Sequence, residues 1–221
     1  MKKINGVIFD MDGLIFDTEA IYCKSNVAMA KEYGLKEYDE AYYRTEIGLS
    51  EEHAYQKYLT DYAYLPEETI QQFFKESRSK VSKTFKENGA PLKPGVVELL
   101  IYLNQENIPC IVASSNTRVA IDQLLEKANL RDYFVDTVSG DEVTHAKPHP
   151  EIVEVAVKKL NTKASETVML EDSLNGIRAS FSANVPVIMV PDLIAPDEEA
   201  LEKVYAVKKD LFEVKTLIEE K

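Results

Sequence analysis

The chain is short of several things that would assign it to a special class. It has two cysteines in 221 residues. Cys23 and Cys110 stand far apart in no C-x-x-C arrangement. Buried, reduced thiols are the expectation, which suits a reducing cytoplasm, while a disulfide between them stays open. No apolar run is long enough to span a membrane. The Met1-Lys2-Lys3 start leads straight into a strand-like run and lacks a small-residue cleavage site. No secretory signal is expected, and a cytoplasmic protein is. Positive charge is scarce: 26 Lys and Arg face 38 Asp and Glu, for a net charge of −12. That balance argues against nucleic acid as a partner, because phosphate backbones are gripped by Lys and Arg. Any phosphorylated small substrate would need a metal or a placed lysine to override the overall field. There is no internal repeat and no low-complexity segment. What remains is ordinary for a globular chain, 45% apolar and 29% charged. The length suits one sizeable domain, or a domain with an insertion.

The organising stretch is Val7-Ile8-Phe9-Asp10-Met11-Asp12-Gly13. Val-Ile-Phe reads as a buried strand. It stops at an acid, a second acid follows two positions on, and a glycine can take the angles of a tight turn. Asp10 and Asp12 thus leave one strand end together, where open parallel sheets bind ligands. Carboxylates this close repel, so one carries a proton or a cation sits between them. A hard cation such as Mg²⁺ takes oxygen ligands, and a carboxylate can form an aspartyl-phosphate.

Taken in order, the chain reads helical from Thr18, a capping hydroxyl, to a stop at Gly34, with Ile21, Ala28 and Met29 at helical spacing. A short helix over 40–47 ends at Gly48. Ser50 caps another, and Pro66 occupies the first position of a third that runs to Lys86. No run from 38 to 88 resembles a core strand, and tyrosine is dense there. Residues 18–87 therefore read as a helical insertion. After Pro94-Gly95, helix and strand alternate: helix 96–105, strand 110–113, helix to 128 capped by Asn116 or Thr117, strand 134–139, helix 151–160, strand 168–170, helix to 183, strand 187–190. The tail from Asp197 reads as polar helix at the edge. Repeated β-then-α order implies an α/β fold, a doubly wound parallel sheet with a Rossmann-like core. The core is assigned 1–17 and 88–221.

Strand ends read together give a site. The first carries Asp10 and Asp12, the second Ser114, a loop before a helix Lys147, and a later strand Glu171 and Asp172. Acids to hold a cation, a lysine to neutralise phosphoryl oxygens and a hydroxyl to donate a hydrogen bond suit a metal-bound phosphoryl group. Each has a plainer reading alone: Ser114 as a helix cap, Lys147 as a surface lysine. Together the motifs favour chemistry.

In order and spacing, Asp10-Met11-Asp12-Gly13, Ser114, Lys147-Pro148-His149-Pro150 and Glu171-Asp172-Ser173 resemble the haloacid dehalogenase-like hydrolases. The helical insertion resembles the cap of the branch with β-phosphoglucomutase and phosphoglycolate phosphatase. The resemblance implies Asp10 as nucleophile and metal ligand. It implies Asp12 as general acid and then base, with its backbone carbonyl on Mg²⁺. Ser114 and Lys147 would hold the phosphoryl group, with Ser115 and Asn116 as further substrate-side candidates. Asp172 would bind the metal directly, and Glu171 directly or through water.

The implied activity is Mg²⁺-dependent hydrolysis of a small phosphate monoester, a sugar phosphate or similar metabolite, by a monomer. The alternative is a hexose-phosphate mutase. Around Gly48-Leu49-Ser50 the chain is similar to the mutases, but Glu51 stands where they carry an arginine. Ile21 and Tyr22 occupy a stretch where they carry a histidine. A phosphoryl-sensing receiver module gathers similar residues, but is shorter and has no helical insertion after the first strand. Asp17 reads as a turn residue, the tyrosines as packing, and His53, His145 and His149 as solvated side chains. Arg44, Lys75 and Arg78 are possible sources of positive charge in the insertion, and have no assigned place.

Overall fold

Four runs that are apolar almost throughout become strands buried along their whole length: β1 (Gly6–Phe9), β2 (Cys110–Ser114), β4 (Thr167–Glu171) and β5 (Val187–Met189). Burial at every position means both faces of the sheet are covered, as a parallel sheet needs. With β3 (Phe134–Ser139) and β6 (Ala206–Val207) they form one six-stranded sheet of order β3-β2-β1-β4-β5-β6. Every pairing is parallel. The computed structural model describes residues 3–47, 49 and 51–220, Glu51 through its backbone alone. The chain forms two compact units, one of residues 1–17 and 91–221, the other of residues 18–90.

The first unit holds α5 (Val96–Gln105), α6 (Arg118–Lys127), α7 (Glu151–Leu160), α8 (Leu174–Ser182), α9 (Glu198–Lys203) and α10 (Leu211–Glu219). Helix α7 buries Ile152, Val153, Ala156 and Leu160, a one-sided stripe at helical spacing, in a cluster with Ile8, Ile111, Val138 and Met169 of the sheet. Thr117 caps α6 by accepting from the Ala120 N–H, and Ser173 caps α8 by accepting from Gly176.

The tail differs from its polar-edge reading. Ala206–Val207 adds a sixth strand, and α10 buries Leu211, Val214 and Ile218. Those three recur at i, i+3 and i+7, so the tail belongs to the core.

The second unit holds α1 (Thr18–Tyr33), α2 (Glu40–Arg44), α3 (Glu51–Asp61) and α4 (Glu67–Asn88). In α1 the inward face is Cys23, Asn26, Met29 and Ala30, and Ala28 is exposed, a correction to its core reading. Pro66 is the cap residue of α4 rather than its first helical residue, and the helix runs two residues past Lys86. Its core is aromatic: Tyr38, Tyr43, Tyr58, Tyr62 and Phe73 are buried, with Tyr38 and Tyr58 rings 5.6 and 5.5 Å from Phe73. The helix expected over 40–47 is shorter, ending at Arg44 with Thr45 as its C-cap, while Gly48, the Ser50 cap and the Glu51 side chain lie outside the described residues.

Cys23 and Cys110 are buried free thiols. Among the described residues, no helix is long and apolar enough to cross a membrane.

Candidate active site

The strand order reverses direction at β1, whose neighbours are β2 and β4. A crevice opens at the carboxyl ends of strands where the order reverses. Asp10 follows the last residue of β1, Ser114 ends β2 and Glu171 ends β4. The tight turn after Asp12 needs glycine twice over: Gly13 has φ +78°, and a Cβ there would strike the Asp172 carboxylate. Gly176 is needed for space as well, since its Cβ would fall on the Glu171 carboxylate.

Lys147 is the hub. Its ammonium donates to Asp10 Oδ1 at 2.5 Å and to Glu171 Oε2 at 2.9 Å, and all three side chains are buried or nearly so. The other Glu171 oxygen accepts from the Asp172 N–H (3.1 Å), the Ser173 N–H (2.9 Å) and the Ser173 hydroxyl (2.9 Å). Glu171 is thus saturated, bonded to the ammonium on one side and to the start of α8 on the other. Burial opposes its charge, but Lys147 and these donors hold its carboxyl below the usual range.

Asp10 and Asp172 differ. Burial first, then Glu171, pushes Asp10 up to about 8 even though Lys147 works the other way. Burial, then Glu171 and Asp10, also raises Asp172 well above a normal aspartate. Lys147 shows the converse: burial disfavours its charge, yet Asp10 and Glu171 hold it above the usual lysine range. Three carboxyl groups stand close together and the Lys147 ammonium pairs with two of them, Asp10 and Glu171, so the cluster has excess negative charge that a proton or a cation would relieve. Asp10, Glu171 and Asp172 each offer an oxygen within 4.8 Å of the others. An all-oxygen set of that size is the donor chemistry of Mg²⁺ or Ca²⁺.

Asp12 is held separately. Its Oδ2 accepts from Asn116 Nδ2 at 2.6 Å, and the Ser114 hydroxyl lies at 3.5 Å. The Asp12 side chain is outside the metal-capable group. Ser114 is fully buried and accepts from the Asn116 N–H at 3.1 Å, whereas Ser115 is exposed.

One pair was not singled out from sequence. Lys93 Nζ and Asp192 Oδ1 are 2.5 Å apart, and Asp192 Oδ2 is buried with no hydrogen-bond partner. Asp192 also adds to the rise at Asp172. It follows the apolar run Val187-Ile188-Met189-Val190 closely, the pattern that marks Asp10, so the signal was present.

The helical unit has a cavity of its own, about 200 Å³, lined by Glu19, Asn26, Tyr43, Glu46, Tyr58 and Arg78 among others. Glu46 Oε2 accepts from the Tyr58 hydroxyl (2.6 Å) and the Tyr38 hydroxyl (3.0 Å). Burial pushes Glu46 up to about 7, against those two hydrogen bonds. Glu46 Oε1 and Asn26 Oδ1 are buried acceptors with no hydrogen-bond partner. Arg78 lies over the Phe74 ring, 3.5 Å from its centre. Arg44 pairs with Glu40 and Lys75 is exposed; neither lines this cavity.

The model of the haloacid dehalogenase-like hydrolases matches residues 7–190. The chain belongs to that family. Within the family it is similar to a phosphorylated carbohydrates phosphatase of Thermotoga maritima, 30% identical over 220 residues, which is 98% of this chain and 91% of that one. It is also similar to hexitol phosphatase B of Escherichia coli, 27% identical, covering 86% and 85% of the two chains. Among solved structures, a β-phosphoglucomutase of Clostridium difficile matches with a TM-score of 0.75 at 26% identity, covering 98% of this chain and 96% of that one. That structural likeness covers the parallel-sheet fold described above.

Proposed function

We propose that this chain is a Mg²⁺-dependent phosphatase that hydrolyses a small phosphate monoester, a phosphorylated sugar or polyol, through an aspartyl-phosphate on Asp10. The observation that carries this reading is the crowding of Asp10, Glu171 and Asp172 against one another, with the Lys147 ammonium paired to Asp10 and Glu171. Asp10 and Asp172 are the side chains suited to hold Mg²⁺, with the Asp12 backbone carbonyl as a further ligand. Glu171, already saturated by donors, acts behind them. When bound, Mg²⁺ supplies the positive charge that lets an anionic phosphoryl group approach a carboxylate.

The protein groups then have separate tasks. Lys147 fixes Asp10 Oδ1 and lowers the charge the phosphoryl group meets. Asp10 attacks phosphorus, and the ester P–O bond breaks. Asp12 gives its proton to the leaving alcohol. In the second half-reaction Asp12 takes a proton from water, which attacks phosphorus and frees Asp10. Asn116 keeps the Asp12 carboxyl aimed throughout. The buried Ser114 hydroxyl completes the donor set at this edge.

The helical unit, residues 18–90, is assigned the role of cap, with substrate choice in its own cavity. That cavity offers acceptors: Glu46 Oε1 and Asn26 Oδ1 would take hydrogen bonds from hydroxyl groups. Glu19 and Glu46 beside the one guanidinium of Arg78 make it a poor seat for a second phosphate. This favours a mono-phosphorylated polyol over the bisphosphate that a mutase must hold. The names of the phosphorylated carbohydrates phosphatase and hexitol phosphatase relatives agree with that class.

The mutase reading is kept because of the likeness to a β-phosphoglucomutase. Phosphate release from a panel of sugar and polyol phosphates with Mg²⁺ separates the two. The panel includes β-glucose 1-phosphate with and without catalytic glucose 1,6-bisphosphate. Steady phosphate release without the bisphosphate supports the phosphatase. Conversion to glucose 6-phosphate that depends on the bisphosphate, with little free phosphate, would make the mutase right.

A further inference from the structure

The loop that delivers Lys147 is flanked by two histidines, His145 and His149, read from sequence as separate solvated side chains. The structure brings them together. A turn closed by the His149 N–H donating to the Ala146 carbonyl, at 3.0 Å, stacks the two rings 4.5 Å apart. Glu151, the first residue of α7, completes the group. Its Oε2 is 2.9 Å from His145 Nδ1 and 4.0 Å from His149 Nδ1, and the three residues each offer a ligand atom within 4.8 Å of the others.

We propose that His145, His149 and Glu151 form a second metal site, suited to Zn²⁺, that clips together the two ends of the Lys147 loop. Zinc bonds of about 2.0–2.1 Å at tetrahedral angles put ligand atoms about 3.3 Å apart. The two observed Glu151–imidazole separations, 2.9 and 4.0 Å, straddle that value, so small side-chain rotations suffice. The carboxylate is already oriented: Oε1 accepts from the Thr144 N–H (2.9 Å) and Oε2 from the His145 N–H (3.0 Å). Outer bonds of that kind fix metal-ligating carboxylates. The Thr144 N–H and His145 also hold Glu151 below the usual carboxylate range, so it meets a cation ionised. Two imidazoles and one carboxylate select Zn²⁺ over Mg²⁺, which prefers an all-oxygen set such as Asp10, Asp172 and the Asp12 carbonyl. Three protein ligands leave a fourth position for water. On binding, the hydrogen bond between His145 Nδ1 and Glu151 Oε2 and the one that His149 Nδ1 accepts from the Glu151 N–H (3.3 Å) give way to metal bonds, and any proton on His145 Nδ1 goes to solvent.

The test is a zinc titration of the full chain against a chromophoric chelator, with Mg²⁺ in millimolar excess to hold the carboxylate cluster. One equivalent of Zn²⁺ is expected to bind and to resist displacement by Mg²⁺. Binding should weaken at least tenfold in His145→Ala/His149→Ala. Glu151→Gln, which keeps an oxygen acceptor for the backbone donors, should weaken it too. Zinc should also slow amide exchange over residues 144–151 in the parent chain and not in the double variant. No zinc equivalent, zinc displaced by excess Mg²⁺, or unchanged affinity in both variants would overturn the site.

Discussion

Both units bury carboxylates, and they accommodate them in opposite ways. In the parallel-sheet unit the core is mostly aliphatic and the acids are gathered at one sheet edge. Asp10, Glu171 and Asp172 crowd one another, and like charge adds to burial in raising Asp10 and Asp172. In the helical unit the core is aromatic, and Glu46 sits among tyrosines. It is raised by burial alone, and the hydroxyls of Tyr58 and Tyr38 work to lower it. The first arrangement is relieved by a cation. The second is already relieved on one oxygen by neutral donors, and its other oxygen is an acceptor for more. The same chemical group is thus set up for electrostatics in one place and for reading hydroxyls in the other.

The largest effect that would break this contrast concerns the cation. EDTA should take phosphate release to background, and Mg²⁺ should restore it; indifference to EDTA would end the metal assignment. Next, Asp12→Ala should slow turnover by about a hundredfold or more on esters with poor leaving groups, and least on aryl phosphates. An equal loss on all esters would remove the acid role. Third, Lys147→Ala leaves Asp10 and Glu171 buried without their ammonium, at a cost of about 3 kcal/mol of stability. Denaturant unfolding measures it, and part of the loss should return with Mg²⁺.

A pH effect follows from Asp10. Its folded-state value lies above its ordinary one, so the folded protein holds the proton more tightly than the unfolded chain. In metal-free protein, the stability it contributes is full below the normal aspartate range and is lost as pH rises towards about 8. Added Mg²⁺ should therefore raise Tm more at pH 8 than at pH 5; equal shifts would contradict the charge-relief argument. The smallest effect lies in the helical unit. Glu46→Gln should raise KM for polyol phosphates severalfold and leave p-nitrophenyl phosphate turnover nearly unchanged.

Much of the parallel-sheet unit is legible in sequence because burial there is continuous. Val-Ile-Phe, Cys-Ile-Val-Ala and Val-Met-Leu have no polar face to confuse, and each run stops at an acid or hydroxyl at one sheet edge. The two-residue β6 has one half-buried and one exposed side chain and carries no pattern of its own. By contrast, Leu211, Val214 and Ile218 had readable helical spacing, and Asp192 had the same acid-after-strand pattern as Asp10. The helical unit is less legible because its inward faces are mixed. Helix α1 buries Thr18 and Asn26 and exposes Ala28, so hydropathy alone misplaces its face. The hydroxyl pairing of Tyr38 and Tyr58 with Glu46 spans three segments and has no sequence signature. The meeting of His145 and His149 depends on a turn whose prolines argue only against a helix.

The central claim is covalent phosphorylation of Asp10. The most direct measurement is acid quenching of the Mg²⁺-loaded protein early in turnover of a ³²P-labelled sugar phosphate, followed by peptide mapping. A hydroxylamine-sensitive label on the peptide containing Asp10, absent in Asp10→Asn, is the predicted result. Phosphate release that continues in Asp10→Asn, or a label on another residue, would contradict it.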